Sequence, residues 1–200
     1  MSGSRVGVFG GAFDPPHNAH VALARTAMAQ LRLDELRIVP TGQAWHKPRT
    51  LSDAAHRLAM AELAFANVPG ARIDDRELRR TGASYTIDTL RELRAADPAA
   101  ELVLLMGEDQ ALAFTTWREW QAIARLATLA VAQRGAGPVG AGLQALQALP
   151  GVRAEALQLP LMAESATDIR ARAAAGLAID HLVPAGVASY IARHHLYSPA

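Results

Sequence analysis

Along most of its length the chain alternates short apolar runs with longer amphipathic ones, and this alternation restricts the fold more than any other feature of the sequence. Arg5 to Phe9, Glu35 to Pro40, Glu101 to Met106 and Leu126 to Gln133 read as strands. Asn18 to Leu31, Ser52 to Asn67, Ser165 to Ala175 and Pro184 to His194 carry helical spacing. Strands that alternate with helices are joined by right-handed crossovers, so the pattern predicts an α/β fold around a parallel sheet. Helix punctuation agrees: Ser165 with Asp168 resembles a capping box, Gly176 suits a C-terminal stop, and Pro184 suits a first helical position. The glycine- and proline-rich stretch 135–151 reads as a surface loop followed by a short helix.

With 200 residues, 50% of them apolar, the chain is long enough for one well-buried domain, and a single domain over 1–200 is predicted. The net charge is +1 and no block of like charges occurs, so the broad field that attracts nucleic acid or a membrane surface is missing and any anion must be met locally. No cysteine is present, which excludes disulfides, thiolate catalysis and cysteine-ligated metals. The start, MSGSRVGVFGG, lacks the pattern of a secretory signal, and no run approaches 18 apolar residues. The expectation is a soluble cytoplasmic protein with neither nucleic acid nor membrane as partner.

The stretch VFGGAFDPPHNAH, residues 8–20, then decides where a ligand would go. In a parallel sheet ligands collect at the carboxyl ends of the strands, and Gly10 and Gly11 end the first one. Without Cβ atoms they let a ligand approach the backbone N–H groups. Pro15 and Pro16 hold the chain extended and delay the helix to about His17 or Asn18, which puts His17 at the helix mouth and His20 in its first turn on the same side. A helix N-terminus with two imidazoles suits a polyphosphate.

The residues GGAFDPPHNAH resemble the G-G-x-F-D-P-x-H-x-G-H stretch of the nucleotidylyltransferase superfamily, whose members transfer AMP or CMP from a nucleoside triphosphate to a phosphate-bearing acceptor. Near the other end, SATDIRARAAAG (165–176) is similar to the superfamily's S-S-T-x-I-R segment. Ser165 and Thr167 can offer hydroxyls at a second helix mouth, and Arg170 a charge-assisted fork to phosphate oxygens. The resemblance implies a Rossmann-like doubly wound parallel sheet of the nucleotidylyltransferase type with a C-terminal helical segment over about residues 163–200.

The middle of the chain most resembles the bacterial branch acting on nicotinate mononucleotide, through HKP (46–48), SYTIDTL (84–90), MGEDQALAFTTWREW (106–120) and LVPAGVASYIARHHLY (182–197). Gly107 and Asp109 follow a predicted strand, so Asp109 would lie at the ligand edge and accept from a ribose or position a metal-bound phosphate, or simply cap a helix. Trp117 and Trp120 lie in a polar stretch. The resemblance places stacking on a pyridine ring on Trp117, while Trp120 reads as core packing. Tyr85 and Thr86 open a helix whose N–H groups suit a nicotinate carboxylate. His46 and Lys47 sit in a loop, and Lys47, the one lysine of the chain, is suited to acceptor or triphosphate oxygens. Three positions depart from the family pattern: Ala12 for threonine, Ala19 for glycine and Ala166 for the second serine; Trp45 also stands in a loop where proline is frequent.

The resemblance thus implies in-line attack by the acceptor's 5′-phosphate on the α-phosphorus of ATP, catalysed by His17, His20 and Arg170. ATP would be bound by Gly10, Gly11, Ala12, Phe13, His17, His20, Gly107, Asp109, Ser165, Thr167 and Arg170. The acceptor would be bound by His46, Lys47, Tyr85, Thr86 and Trp117. Mg²⁺ would bridge triphosphate oxygens, with no residue of the protein assigned as a metal ligand. Alternatives are an adenylyltransferase using nicotinamide mononucleotide or phosphopantetheine, and a non-catalytic adenine-nucleotide sensor. A homo-oligomer is compatible with any of these.

Overall fold

The computed structural model describes residues 3–42, 51–134, 140–160, 162 and 164–198. In chain order these form β1 (Arg5–Gly11), α1 (Asn18–Gln30), β2 (Glu35–Pro40), α2 (Ala54–Phe65), β3 (Ala71–Ile73), α3 (Arg76–Arg79), α4 (Thr86–Ala96), β4 (Glu101–Gly107) and α5 (Glu108–Leu112). A 3₁₀ turn (Phe114–Thr116) precedes α6 (Trp120–Leu126), β5 (Ala127–Arg134), α7 (Ala141–Gln147), β6 (Ala154–Leu159), α8 (Ala166–Ala174) and α9 (Ala185–Arg193). The strands make one parallel sheet in the order β3-β2-β1-β4-β5-β6. This is the doubly wound order, and the winding reverses between β1 and β4.

The central strands are buried on both faces, and their side chains alternate between two cores. Val6 and Val8 of β1 and Leu102, Leu104 and Met106 of β4 meet Ile87, Leu90 and Ile123 from α4 and α6. On the opposite face Phe9, Val103 and Leu105 meet Leu23, Met60 and Phe65 from α1 and α2. Ile169, Val187 and Ile191 of α8 and α9 join this second core, so the C-terminal helices pack on the same layer as α1 and α2. Such strands read as continuous apolar runs. The edge strands do not: β3 has three residues, and β6 carries Glu155 and Gln158, which explains why neither stands out in the sequence.

Helix ends differ from the predicted ones by small, physical margins. Asp53, not Ser52, caps α2 by accepting from the Ala55 N–H (2.8 Å). Pro184 is the N-cap of α9, not its first residue, with an extended ψ of 144°. Ser165 caps α8 as predicted, accepting from the Asp168 N–H at 3.1 Å. Gly176, at φ +69°, closes that helix in a Schellman arrangement in which the Leu177 N–H reaches the Arg172 carbonyl.

One irregularity of the sheet positions the site. β1 continues to pair with β2 as far as Gly11 and β4 with β5 as far as Gly107, but β1 and β4 pair only up to Val8 and Leu104. Beyond that register the two central strands part, and the crevice opens at the carboxyl edge where the winding reverses.

Candidate active site

The two glycines at the end of β1 serve different ends. A Cβ at Gly10 would meet no atom within 4 Å, so this residue borders open space. A Cβ at Gly11 would lie 3.0 to 3.3 Å from the Phe13 ring, so here glycine makes room for a neighbour. Phe13 turns back with φ +47° and buries its ring edge-on against Phe9 (5.4 Å) and Phe65 (5.5 Å). Its side chain belongs to the core, and it can offer a ligand only its backbone.

His17 is the N-cap of α1, and His20 lies in the first turn. The rings are 3.8 Å apart, tilted by 32°, and the His17 N–H donates to His20 Nδ1 at 3.2 Å. An acceptor at Nδ1 leaves the ring proton on Nε2 in the neutral form, so His20 presents a donor at its outer nitrogen. Phe13 and Phe9 flank the His20 ring at 5.3 and 5.9 Å. The helix mouth is less open than predicted, because the Asn18 N–H is donated to the Leu182 carbonyl at 3.0 Å.

Arg170, 156 positions from Asp14, joins the second motif to the first: it donates to the Asp14 carbonyl at 2.8 Å and to Thr167 Oγ1 at 3.1 Å. The Asp14 carboxylate accepts from the Ser52 N–H (3.1 Å) and the Tyr197 hydroxyl (2.7 Å). Burial, reinforced by this hydrogen bond and the carboxylate's charge, pushes the Tyr197 phenol well above its ordinary value. Beneath the turn, Arg57 is 3% exposed and donates to the carbonyls of Ala12 (3.1 Å), Thr41 (2.7 Å) and Ser52 (3.0 Å). The sequence alone does not single out Asp14, Arg57 or Tyr197. Asp14 lies inside the quoted motif, whereas nothing local distinguishes Arg57 or Tyr197, whose partners are remote in the chain.

Beside these groups a cavity of about 450 Å³ opens against Gly10, Gly11 and Ala12, a size that accommodates a small ligand. Part of its lining is the start of α4, with Tyr85, Thr86 and Thr89, together with Glu77 of α3. Another part carries Asp109, Trp117 and Arg118. Tyr85 caps α4, so the Thr86 and Ile87 N–H groups precede the helical ladder at the cavity wall. Trp117 is held by Phe114 at 5.8 Å, and Trp120 by the same ring at 5.9 Å outside the cavity lining. The Glu77 carboxyl accepts from Thr89 Oγ1 at 2.7 Å, and burial raises it above the usual carboxylate range.

The sequence-predicted residues therefore divide into two groups. Gly10, Gly11, Ala12, Tyr85, Thr86, Asp109 and Trp117 share the cavity lining. His17, His20, Ser165, Thr167 and Arg170 are not part of it and gather about the segment that follows, from Asp14 to His20 and the start of α8. Gly107 also lies off the lining; it caps α5, its N–H donating to Gln110 Oε1, so Asp109 is the second residue of that helix and not its cap. Trp45, His46 and Lys47 lie outside the described residues. Among the described residues no cluster of three His, Asp or Glu could hold a metal, and no helix is long and apolar enough to cross a membrane.

Residues 8–172 match the cytidylyltransferase-like family model. A protein of Albidiferax ferrireducens carrying the name "Probable nicotinate-nucleotide adenylyltransferase" is 56% identical over 197 residues, covering 98% of this chain and 99% of its own. A relative of the same name from Methylibium petroleiphilum is 45% identical over 199 residues, covering 98% and 93%. Among solved structures, the Plasmodium falciparum nicotinic acid mononucleotide adenylyltransferase complexed with APC superposes with a TM-score of 0.80 at 17% identity, over 97% of each chain. The same protein complexed with NaAD gives 0.79 at 18%, also over 97% of each chain.

Proposed function

The chain belongs to the cytidylyltransferase-like family, on its nicotinate-nucleotide adenylyltransferase branch, and from that membership we propose that it transfers AMP from ATP to the 5′-phosphate of nicotinate mononucleotide. The observation that carries this reading is the adjacency of two unlike compartments at the end of β1. One is a mostly apolar cavity between Trp117 and the α4 N-terminus, and the other is the cluster of His17, His20 and Arg170. A pyridine nucleotide fits the first through its ring and reaches the second through its phosphate.

An oxygen of the acceptor's 5′-phosphate attacks the α-phosphorus of ATP in line. A new P–O bond forms, the bond from the α-phosphorus to the bridging oxygen breaks, and its electrons leave with pyrophosphate. The attacking phosphate is anionic at neutral pH, so no general base is required. Catalysis then consists of orientation and charge stabilisation. His20 donates from Nε2 to the phosphoryl oxygens, His17 flanks it, and Arg170 with Ser165 and Thr167 meets the β and γ phosphates. Gly10 to Phe13 approach the nucleotide with their backbone, Asp109 faces its ribose from the cavity lining, Gly107 supports that edge as the cap of α5, and Tyr85, Thr86 and Trp117 hold the nicotinate ring. His46 and Lys47 are assigned to acceptor oxygens. Mg²⁺ accompanying ATP would supply neutralisation of the leaving group, with no residue of the chain assigned to hold it. The reading is of a cytoplasmic enzyme with small-molecule substrates, without nucleic acid or membrane as partner.

Pyrophosphate release from ATP and Mg²⁺ tests it, with nicotinate mononucleotide, nicotinamide mononucleotide and phosphopantetheine supplied separately at matched concentrations. The expected result is a preference for the nicotinate acceptor. Silence with all three, from folded protein that still binds ATP, would replace the enzyme by a nucleotide sensor.

A further inference from the structure

We propose that Arg118 selects the acidic pyridine over its amide, its guanidinium serving as the cationic partner of the acceptor's ring carboxylate at the N-terminus of α4. The inference rests on the acceptor class proposed above and goes beyond it by naming the side chain that discriminates.

Position comes first. Arg118 follows Trp117 and lines the cavity, and its Cζ lies 4.6 Å from the centre of the Tyr85 ring. Tyr85 is the cap of α4, so the guanidinium stands within one side chain of the first N–H groups of that helix. A guanidinium stacked on an aromatic face keeps its N–H edge free in geometry for a planar carboxylate, which it meets in a bidentate fork.

Charge makes that edge necessary. The other ionisable side chains on the described lining, apart from the Tyr85 phenol, are the acidic Glu77 and Asp109, and Asp88 adds a third carboxylate in the first turn of α4. An anionic ring substituent entering this cavity meets repulsion that helix N–H groups offset only in part. Burial, which pushes the Glu77 carboxyl upward, reduces that repulsion without supplying attraction inside the cavity. Among the described lining residues, Arg118 is the cation that does supply it.

The nearest competitor in sequence is already engaged. Glu119 gives both carboxylate oxygens to Arg91, at 3.1 and 2.5 Å, and stands in the left-handed region at φ +52°. This pair ties the Trp117–Glu119 segment to α4 and presents Arg118 toward Tyr85. A carboxamide, by contrast, is uncharged and replaces one acceptor oxygen with a donor, so it forfeits both the fork and the charge.

The test compares the unaltered chain with Arg118→Gln and Arg118→Lys, using nicotinate mononucleotide and nicotinamide mononucleotide as probes. Pyrophosphate release gives kcat and KM, and quenching of tryptophan fluorescence gives binding without turnover. Arg118→Gln is expected to weaken the nicotinate acceptor about 10- to 100-fold in KM and in the titration, and the nicotinamide acceptor no more than about threefold. Arg118→Lys should recover part of the loss, because it keeps the charge but not the fork. Equal losses for both acceptors would overturn the proposal and reduce Arg118 to a prop for the Tyr85 ring, and so would no loss for either. A chain that binds the acid through Arg118 yet releases no pyrophosphate would leave this inference standing and overturn the reaction; turnover with an acceptor preference indifferent to Arg118 would do the reverse.

Discussion

The two compartments at the end of β1 are built from different materials. Around Asp14 and His20 the geometry is set by buried and half-buried side chains bonded to backbone: Arg57 to three carbonyls, Arg170 to the Asp14 carbonyl, and the His20 ring to the His17 N–H. Across the cavity, the Trp117–Glu119 segment is tied to α4 by side chains at the surface, where Arg91 and Glu119 are 51% and 42% exposed. A phosphoryl transfer needs fixed donors, because a small displacement costs much of the rate. Selection among acceptors needs only a few complementary side chains, and these can change without disturbing the frame.

That contrast can be broken most forcefully at Arg57. Its replacement by leucine removes a buried cation and leaves three carbonyls without their donor, which should cost about 3 to 5 kcal/mol in denaturant unfolding, with activity falling in parallel. A loss below about 1 kcal/mol would mean that the turn holds itself without the buried cation. His20→Ala should leave unfolding nearly unchanged while lowering kcat about 10²- to 10³-fold, the usual cost of one donor aimed at developing charge. An unaltered kcat would remove His20 from the chemistry.

Tyr197→Phe deletes one hydroxyl and should cost about 1 to 2 kcal/mol at neutral pH, since Asp14 loses a buried partner. The sign of its pH dependence follows from the raised phenol. The folded chain favours the protonated form, so this contribution is fully present below the unfolded tyrosine value of 10.0 and fades as pH rises beyond it. Unfolding curves of the two proteins should therefore converge at strongly alkaline pH, and a constant gap would contradict the coupling. The smallest effect belongs to Arg91→Ala, which breaks a solvent-screened pair and should leave the denaturant unfolding curve nearly unchanged. Its consequence should appear in acceptor KM, with kcat retained.

The same contrast governs what could be read from the sequence. The central strands were legible because burial on both faces leaves unbroken apolar runs such as Leu102 to Met106, while β3 and β6 were not, because edges tolerate Arg72, Glu155 and Gln158. Ser165 and Gly176 announced the ends of α8 through local hydrogen bonding. His17 and His20 are three residues apart, so their meeting follows from helix geometry alone. Tyr197 meets Asp14 across 183 positions and Arg57 meets Ala12 across 45, and no local pattern encodes either contact. Arg118 is a third case: its place over Tyr85, 33 positions away, depends on how the segments that open α4 and α6 pack beside each other.

The most direct test of this division of labour is steady-state turnover of His20→Ala with nicotinate mononucleotide and with nicotinamide mononucleotide. If the phosphate compartment serves chemistry and the cavity serves selection, kcat falls by the same factor for both acceptors and their kcat/KM ratio is unchanged. A ratio that shifts tenfold or more, about 1.4 kcal/mol, would show that the two compartments do not act separately and would contradict the account.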